Sequence, residues 1–125
     1  MANYDELIDA YMTSLCESDD ARRHELIEQV WEEDGTFISP FGEARGHAEI
    51  DTKVQRVLKQ FLDVKVYRTS SIDVVQPNYV RFGFEATHKG GEVLIRGTDF
   101  GIVVDGKLHL VAGFSDAASK SEDSV

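Results

Sequence analysis

An acidic residue lies in the middle of a long, largely apolar segment, and this feature constrains the fold more than any other. Residues 92–104 are rich in β-branched and aromatic side chains and precede the turn pair Asp105-Gly106, which predicts one long β-strand. Because strand side chains alternate between two faces, Asp99 shares one face with Val93, Ile95, Gly97, Gly101 and Val103. The opposite face carries Leu94, Arg96, Thr98, Phe100, Ile102 and Val104. Both faces are largely apolar, so we expect both to be covered.

Two interpretations of Asp99 are open at this point. Gly97 and Gly101 flank it on its own face and leave room, and a carboxyl group in an apolar wall is typical of a ligand pocket. In the alternative, the glycines mark a bend in a curved sheet, and Asp99 is a core acid bonded to a neighbouring backbone. No basic residue shares the strand face of Asp99. In the pocket interpretation, desolvation therefore raises the pKa of Asp99 above its usual value of about 3.9.

Composition and charge exclude several classes of partner. The net charge of -10 over 125 residues disfavours nucleic acid and anionic membranes, which attract basic surfaces. The single cysteine, Cys16, cannot form an internal disulfide. The N-terminus lacks the pattern of a signal peptide, and no apolar segment is long enough to span a bilayer, so we expect a cytoplasmic protein. The length predicts one domain over residues 1–116, followed by a polar, disordered tail at 117–125.

Hydrophobic periodicity predicts helices first and strands afterwards. Apolar residues at spacings of three and four predict helices over residues 4–16, 21–31 and 47–62. A short strand at 36–39 and a turn-rich loop at 41–46 separate the second and third helices. Alternating patterns then predict strands over residues 64–75, 79–88, 93–104 and 108–114. This order predicts an α+β domain in which three N-terminal helices pack into a strongly curved antiparallel sheet, with the other apolar sheet face buried in a homodimer.

Several motifs along the chain are similar to those of a known superfamily. They are YMTSL at 11–15, VWEEDGTF at 30–37, PFG at 40–42, GHAEI at 46–50, and the Asp99 strand followed by DGKL at 105–108. On these motifs the chain resembles the nuclear transport factor 2-like superfamily, and within it the SnoaL-like and ketosteroid isomerase-like proteins. The resemblance implies a cone-shaped, cystatin-like α+β barrel. This superfold hosts enzymes, binding proteins and scaffolds, so the fold alone does not define an activity.

The resemblance also implies roles for three positions. In the steroid isomerases a tyrosine on the first helix and an acid on a long strand form an oxyanion hole, and Tyr11 and Asp99 match them. Ser39 stands where those enzymes carry an aspartate as general base. The resemblance therefore implies a cofactor-free isomerase, cyclase or dehydratase that acts on a small apolar molecule. Because the base is missing, a non-catalytic ligand-binding or dimerisation module of the same fold is the alternative.

Other site candidates follow from residue type and position. His88 ends a strand beside the turn at 89–91, and histidine is the usual base near neutral pH, so His88 is a candidate catalytic base, with a solvated surface histidine as the alternative. The candidate pocket-lining residues are Ser39, Trp31, Phe37 and Phe84. For Trp31 and Phe37, packing in the core is the alternative interpretation. No metal-ligand spacing, phosphate loop or cofactor motif occurs in the sequence, so we expect neither a metal nor a cofactor.

Overall fold

The computed structural model describes residues 4–116, and the tail predicted over 117–125 lies outside the described residues. The helices are α1 (Tyr4–Ser14), α2 (Asp20–Val30) and α3 (Gly46–Gln60). The strands are β1 (Trp31–Ser39), β2 (Gly42–Arg45), β3 (Lys65–Arg68), β4 (Asp73–Val75), β5 (Tyr79–His88), β6 (Glu92–Val104) and β7 (Lys107–Ser115). Within this described part of the chain, none of the helices is long and apolar enough to cross a membrane.

The predicted α+β class is confirmed, since three helices pack against one curved, open sheet. The strand order is β2-β1-β7-β6-β5-β3, and β4 pairs with β5 beside β3. Neighbouring strands are antiparallel except for β1 and β7, which run parallel. The predicted antiparallel meander is therefore extended on one side by the hairpin of β1 and β2.

This hairpin occupies a segment that the sequence predicted as a loop. Trp31 is already extended (φ -104°, ψ 144°), so α2 ends at Val30 and β1 begins five residues before the predicted strand at 36. Ser39 pairs with Gly42 across a two-residue turn, and β2 takes up most of the segment 41–46. Gly42 has a φ of +123°, a backbone conformation that favours glycine, and this permits the tight turn.

The single strand predicted over residues 64–75 is wrong, because the segment divides into β3 and β4. The Thr69 N–H donates to the Gly83 carbonyl oxygen at 2.9 Å, and the Gly83 N–H donates to the Ser70 hydroxyl at 2.8 Å. The Ser70 hydroxyl thus accepts the hydrogen bond from the Gly83 N–H. In a continuous strand, a backbone carbonyl oxygen would accept that bond. A Cβ on Gly83 would lie 2.6 Å from the Thr69 hydroxyl oxygen, so glycine allows the close approach. Leu62, the last residue of the helix predicted over 47–62, is 68% exposed because α3 ends at Gln60.

A buried ion pair joins α2 to α3. The Nε of Arg23 lies 2.6 Å from Asp51 Oδ1, and the two residues are 1% and 8% exposed. The guanidinium also contacts Asp20 at 2.5 Å, while Gln55 donates to Asp51 Oδ2 at 2.7 Å. Burial acts to raise the pKa of Asp51, but the hydrogen bonds from Arg23 and Gln55 hold it below its ordinary value. Two helices that cover the sheet are therefore fixed to each other by a paired charge.

The predicted alternation along β6 holds over residues 97–103, where the odd-numbered residues are buried. Near the start of β6 the register with β5 shifts between Ala86 and Thr87, which leaves Leu94 as the extra residue of a β-bulge. The predicted outer position of Leu94 is therefore wrong, because this residue lines the inner cavity. Val93, predicted to share the face of Asp99, is 48% exposed for the same reason.

Candidate functional site

A cavity lies between α3 and the inner face of the sheet, and α1 closes one side of it. The cavity has a volume of about 80 Å³, several times what one buried water needs. Most of its wall is aliphatic and aromatic, with a small number of polar groups, which is the usual composition of a small-molecule site. The polar side chains in this wall are Tyr11, Ser39, Lys53 and Asp99.

Tyr11 and Asp99 meet in the buried wall of the cavity. The Tyr11 hydroxyl donates to Asp99 Oδ2 at 3.3 Å, and the two residues are 1% and 4% exposed. Edge-to-face contacts hold the tyrosine ring in place, with ring centres 6.0 Å from Trp31, 5.9 Å from Phe37 and 6.3 Å from Phe82. The structure thus brings together two predicted site residues that are 88 positions apart in the chain.

Burial sets the protonation of this pair. It raises the pKa of the Asp99 carboxyl to about 7, although the hydrogen bond from Tyr11 acts to lower it. Burial also raises the pKa of Tyr11 well above its ordinary value, and the nearby Asp99 charge and the hydrogen bond to it act in the same direction. The direction and cause predicted for the Asp99 pKa agree with the structure. Near neutral pH Tyr11 is therefore always a donor, whereas Asp99 can either donate or accept.

The glycine that leaves room for the Asp99 carboxyl is Gly113, on the neighbouring strand. Gly113 pairs with Asp99 across β6 and β7, and a Cβ there would lie 2.6 Å from Asp99 Oδ1. A Cβ on Gly97 would collide with the carbonyl oxygen of Phe114, and one on Gly101 would crowd the neighbouring strands. Gly97 and Gly101 therefore permit close strand packing, and the room around Asp99 comes from Gly113 on β7.

Three predicted pocket residues, Ser39, Phe37 and Phe84, line the cavity. The Ser39 hydroxyl accepts a hydrogen bond from the Phe41 N–H at 3.1 Å, so it stabilises the turn between β1 and β2. A serine hydroxyl does not take up a proton near neutral pH, so this position offers no base. Trp31 does not line the cavity, because its ring is fully buried behind the wall and packs against Tyr11 and Phe37, as the core interpretation predicted.

The structure does not bring His88 to the cavity. His88 pairs with Glu92 at the hairpin end of β5 and β6, on the far side of the β-bulge from Asp99. Its ring packs edge-on against Phe61 with centres 5.1 Å apart, and its Nε2 lies 3.7 Å from a Glu92 carboxylate oxygen. A direct role as the base beside Asp99 therefore has no geometric support.

Lys53 is a polar cavity residue that the sequence reasoning missed. It is 5% exposed, its Nζ donates to the Gly42 carbonyl oxygen, and the same nitrogen lies 4.8 Å from the centre of the Phe37 ring. Burial, and then the neighbouring charge of Arg56, lower the pKa of Lys53 to about 8. The available signal was its position within the apolar spacing of α3, where a charged residue is out of place.

A group of potential metal ligands lies on the surface and does not line the cavity. Glu32, Asp34 and His109 place their ligand atoms within 4.8 Å of one another. Sequence spacing does not predict this group, because the pairing of β1 with β7 brings distant residues together. His109 Nδ1 lies 2.7 Å from Glu32 Oε1, so a hydrogen bond between these two side chains accounts for the contact without a metal.

Three helices over a curved sheet, with a cavity between them, define the NTF2-like class of fold. The chain belongs to the SnoaL-like domain family, whose sequence profile matches residues 8–111. No curated protein sequence matches the chain at a significant level.

Solved structures with the same fold include proteins of several bacteria. A proposed isomerase of the SnoaL-like family from Agrobacterium tumefaciens has a TM-score of 0.81 at 23% identity, over 89% of this chain and 95% of that one. A proposed polyketide cyclase from Sinorhizobium meliloti has a TM-score of 0.68 at 11% identity, over 87% and 94%. A ketosteroid isomerase-like protein from Catenulispora acidiphila, in complex with trimethylamine, has a TM-score of 0.69 at 13% identity, over 87% and 84%. At these identities the likeness shows the fold alone.

Proposed function

We propose that this protein binds a small, largely apolar molecule in the cavity and stabilises negative charge on one of its oxygen atoms, as a cofactor-free isomerase, cyclase or dehydratase does. The observation that carries the proposal is the contact of Tyr11 with Asp99, 3.3 Å long and buried in the wall of an apolar cavity. Donors fixed in a water-poor site are the usual means of stabilising an oxyanion.

The protonation of the pair supports this role. The raised pKa of Tyr11 keeps its hydroxyl protonated, and the pKa of about 7 leaves a large share of Asp99 protonated near neutral pH. In that form both groups can donate to one ligand oxygen. When Asp99 ionises, Tyr11 donates to the carboxylate instead, and the negative charge repels an anionic oxygen. The donor pair is therefore competent at and below neutral pH.

The similar structures support the class of reaction and of ligand. One is described as an isomerase and another as a polyketide cyclase, and a third holds trimethylamine, a small molecule. The alternative function, a non-catalytic binding module, is favoured by Ser39, whose hydroxyl is used in the hairpin turn where the steroid isomerases carry their base. Both functions require that the cavity bind a ligand, and they differ in turnover.

Ligand binding is tested with 4-nitrophenol, whose visible absorbance reports the phenolate, a mimic of an enolate. We expect the protein to bind it, and Asp99→Asn and Tyr11→Phe each to weaken binding by about tenfold, because phenylalanine has no donor and the asparagine amide is a weaker donor than a carboxylic acid. Asp99→Leu should abolish binding. The matched controls are Asp105→Asn in an exposed turn and Tyr67→Phe on the exposed side of β3. Equal affinities of the wild type, Asp99→Asn and Tyr11→Phe would contradict the proposal.

Turnover separates the enzyme from the binding module. Cyclohexanone exchanges its α-hydrogens through an enolate, so deuterium incorporation in heavy water reports enolate stabilisation by NMR. An enzyme should accelerate this exchange, and Asp99→Asn should slow it. If the exchange is no faster than in buffer alone while 4-nitrophenol still binds, the protein is a non-catalytic binding module.

A further inference from the structure

Lys53 is a buried cation that the proposed donor pair does not use. Its Nζ lies against the β1–β2 hairpin, bonded to the carbonyl oxygen of Gly42, and Lys53 lines the same cavity as Asp99 and Tyr11. The Phe37 ring contacts both Lys53 and Tyr11, since its centre lies 4.8 Å from Lys53 Nζ and 5.9 Å from the centre of the Tyr11 ring. The cavity therefore offers a ligand two sets of polar groups in an otherwise apolar wall.

The positive charge of Lys53 has no carboxylate partner among residues 4–116, since none of the ion pairs in that part of the chain includes it. The charge that acts on its pKa is that of Arg56, which is also positive. Buried charges in proteins are normally paired, because an unpaired one is costly. A partner supplied by a ligand would remove this cost.

The geometry of the ammonium leaves one donor available. An ammonium group has three N–H bonds. The Gly42 carbonyl accepts one, and the face of the Phe37 ring, 4.8 Å from Nζ at its centre, can attract a second. No hydrogen bond within residues 4–116 occupies the third, and Lys53 lines the cavity, so an oxygen of a bound molecule can accept it. An anionic oxygen binds an ammonium more strongly than a neutral one.

We propose that the ligand of this cavity is a small apolar carboxylic acid, held by its carboxylate at Lys53 and presenting a carbonyl or enol oxygen to Tyr11 and Asp99. The placement of the carbonyl or enol oxygen at Tyr11 and Asp99 rests on the proposed function. The carboxylate site is argued from Lys53 alone. The net charge of the chain is -10, so anions are repelled by the surface in general. Tight binding of an apolar carboxylate would therefore report a local site.

The test compares 2-naphthoate with the neutral 2-naphthamide by isothermal titration calorimetry. The wild type should bind the carboxylate about tenfold or more tightly than the amide, as expected for a charge-assisted hydrogen bond. Lys53→Met should abolish that preference by weakening the carboxylate alone, because Met keeps the apolar length of the side chain. Lys59→Met is the matched control, an exposed lysine on the same helix, and should keep the preference.

The outcomes separate this inference from the proposed function. Asp99→Asn should weaken 4-nitrophenolate yet keep the preference for 2-naphthoate. Absence of the preference in the wild type, or its persistence in folded Lys53→Met, would overturn the inference and leave the donor pair standing. A preference that depends on Lys53, with 4-nitrophenolate binding unaffected by Asp99→Asn, would support the carboxylate site and contradict the donor pair. Failure of the wild type to bind any of these probes would overturn both.

Discussion

Replacement of Asp99 by asparagine should change how stability depends on pH. The pKa of Asp99 is raised from 3.8 to about 7 in the folded protein, mainly by burial. At ~1.4 kcal/mol per pKa unit, this difference corresponds to a cost of roughly 4 kcal/mol for folding with an ionised carboxylate. Below the unfolded pKa both states are protonated and the cost is absent. As the pH rises toward the folded pKa, only the unfolded state releases the proton, so stability falls.

Asparagine cannot ionise, so the variant escapes this loss. Its free energy of unfolding, relative to the wild type, should increase by about 2.5 kcal/mol between about pH 5 and about pH 8. Urea titrations at several pH values measure this difference, and any pH-independent effect of the amide cancels in the comparison. Asp105→Asn, in an exposed turn, is the control and should show no such trend.

A difference that does not change with pH, or a wild type that gains stability over the variant as the pH rises, would refute the reasoning. Either result would mean that other groups hold the Asp99 carboxylate ionised and that burial does not dominate. A carbon-detected NMR titration of the Asp99 carboxyl provides an independent check, because a midpoint near or below the ordinary value would lead to the same conclusion.

Three further predictions concern other parts of the molecule. Arg23→Met leaves Asp51 buried without its partner and should lower the free energy of unfolding, measured with urea, by about 3–5 kcal/mol. Arg22→Met, at an exposed position, should lower it little. A small loss of stability for Arg23→Met would show that the ion pair is not needed for folding. Phe100→Glu should weaken a homodimer formed through the outer sheet face, because the new charge would be buried without a partner, and a monomeric wild type at micromolar concentration in sedimentation would contradict this interface. The wild type should not isomerise a Δ5-3-ketosteroid at an appreciable rate, since the base is missing, and Ser39→Asp should add a trace of activity; fast turnover by the wild type would show that another residue acts as base.

The parts of the site that the sequence predicted depend on short-range periodicity. Tyr11 lies in a helix whose apolar spacing fixes its inward direction, and Asp99 lies in a strand whose alternation places it on the buried face. Both patterns depend only on neighbouring residues, so the folded chain keeps the directions that they predict for these two side chains. The resemblance to a known superfamily then paired two residues that periodicity alone could not bring together.

The parts that escaped prediction depend on register between distant strands. The β-bulge at Leu94 turns this residue into the cavity, and its position follows from how β5 pairs with β6, not from β6 alone. The room for the Asp99 carboxyl comes from Gly113, which lies opposite only because of the register with β7. Lys53 had a local signal, but its carbonyl partner on the β1–β2 hairpin is a tertiary contact.

A crystal structure with 4-nitrophenol bound at slightly acidic pH tests the central claim most directly. Under that condition Asp99 is protonated, and the account predicts that the phenol oxygen lies within about 3.2 Å of both the Asp99 carboxyl and the Tyr11 hydroxyl, with the ring against the apolar wall. Electron density for the ring outside the cavity, or inside it with its oxygen on neither of these two groups, would contradict the assignment of Tyr11 and Asp99 as the donors that bind the ligand.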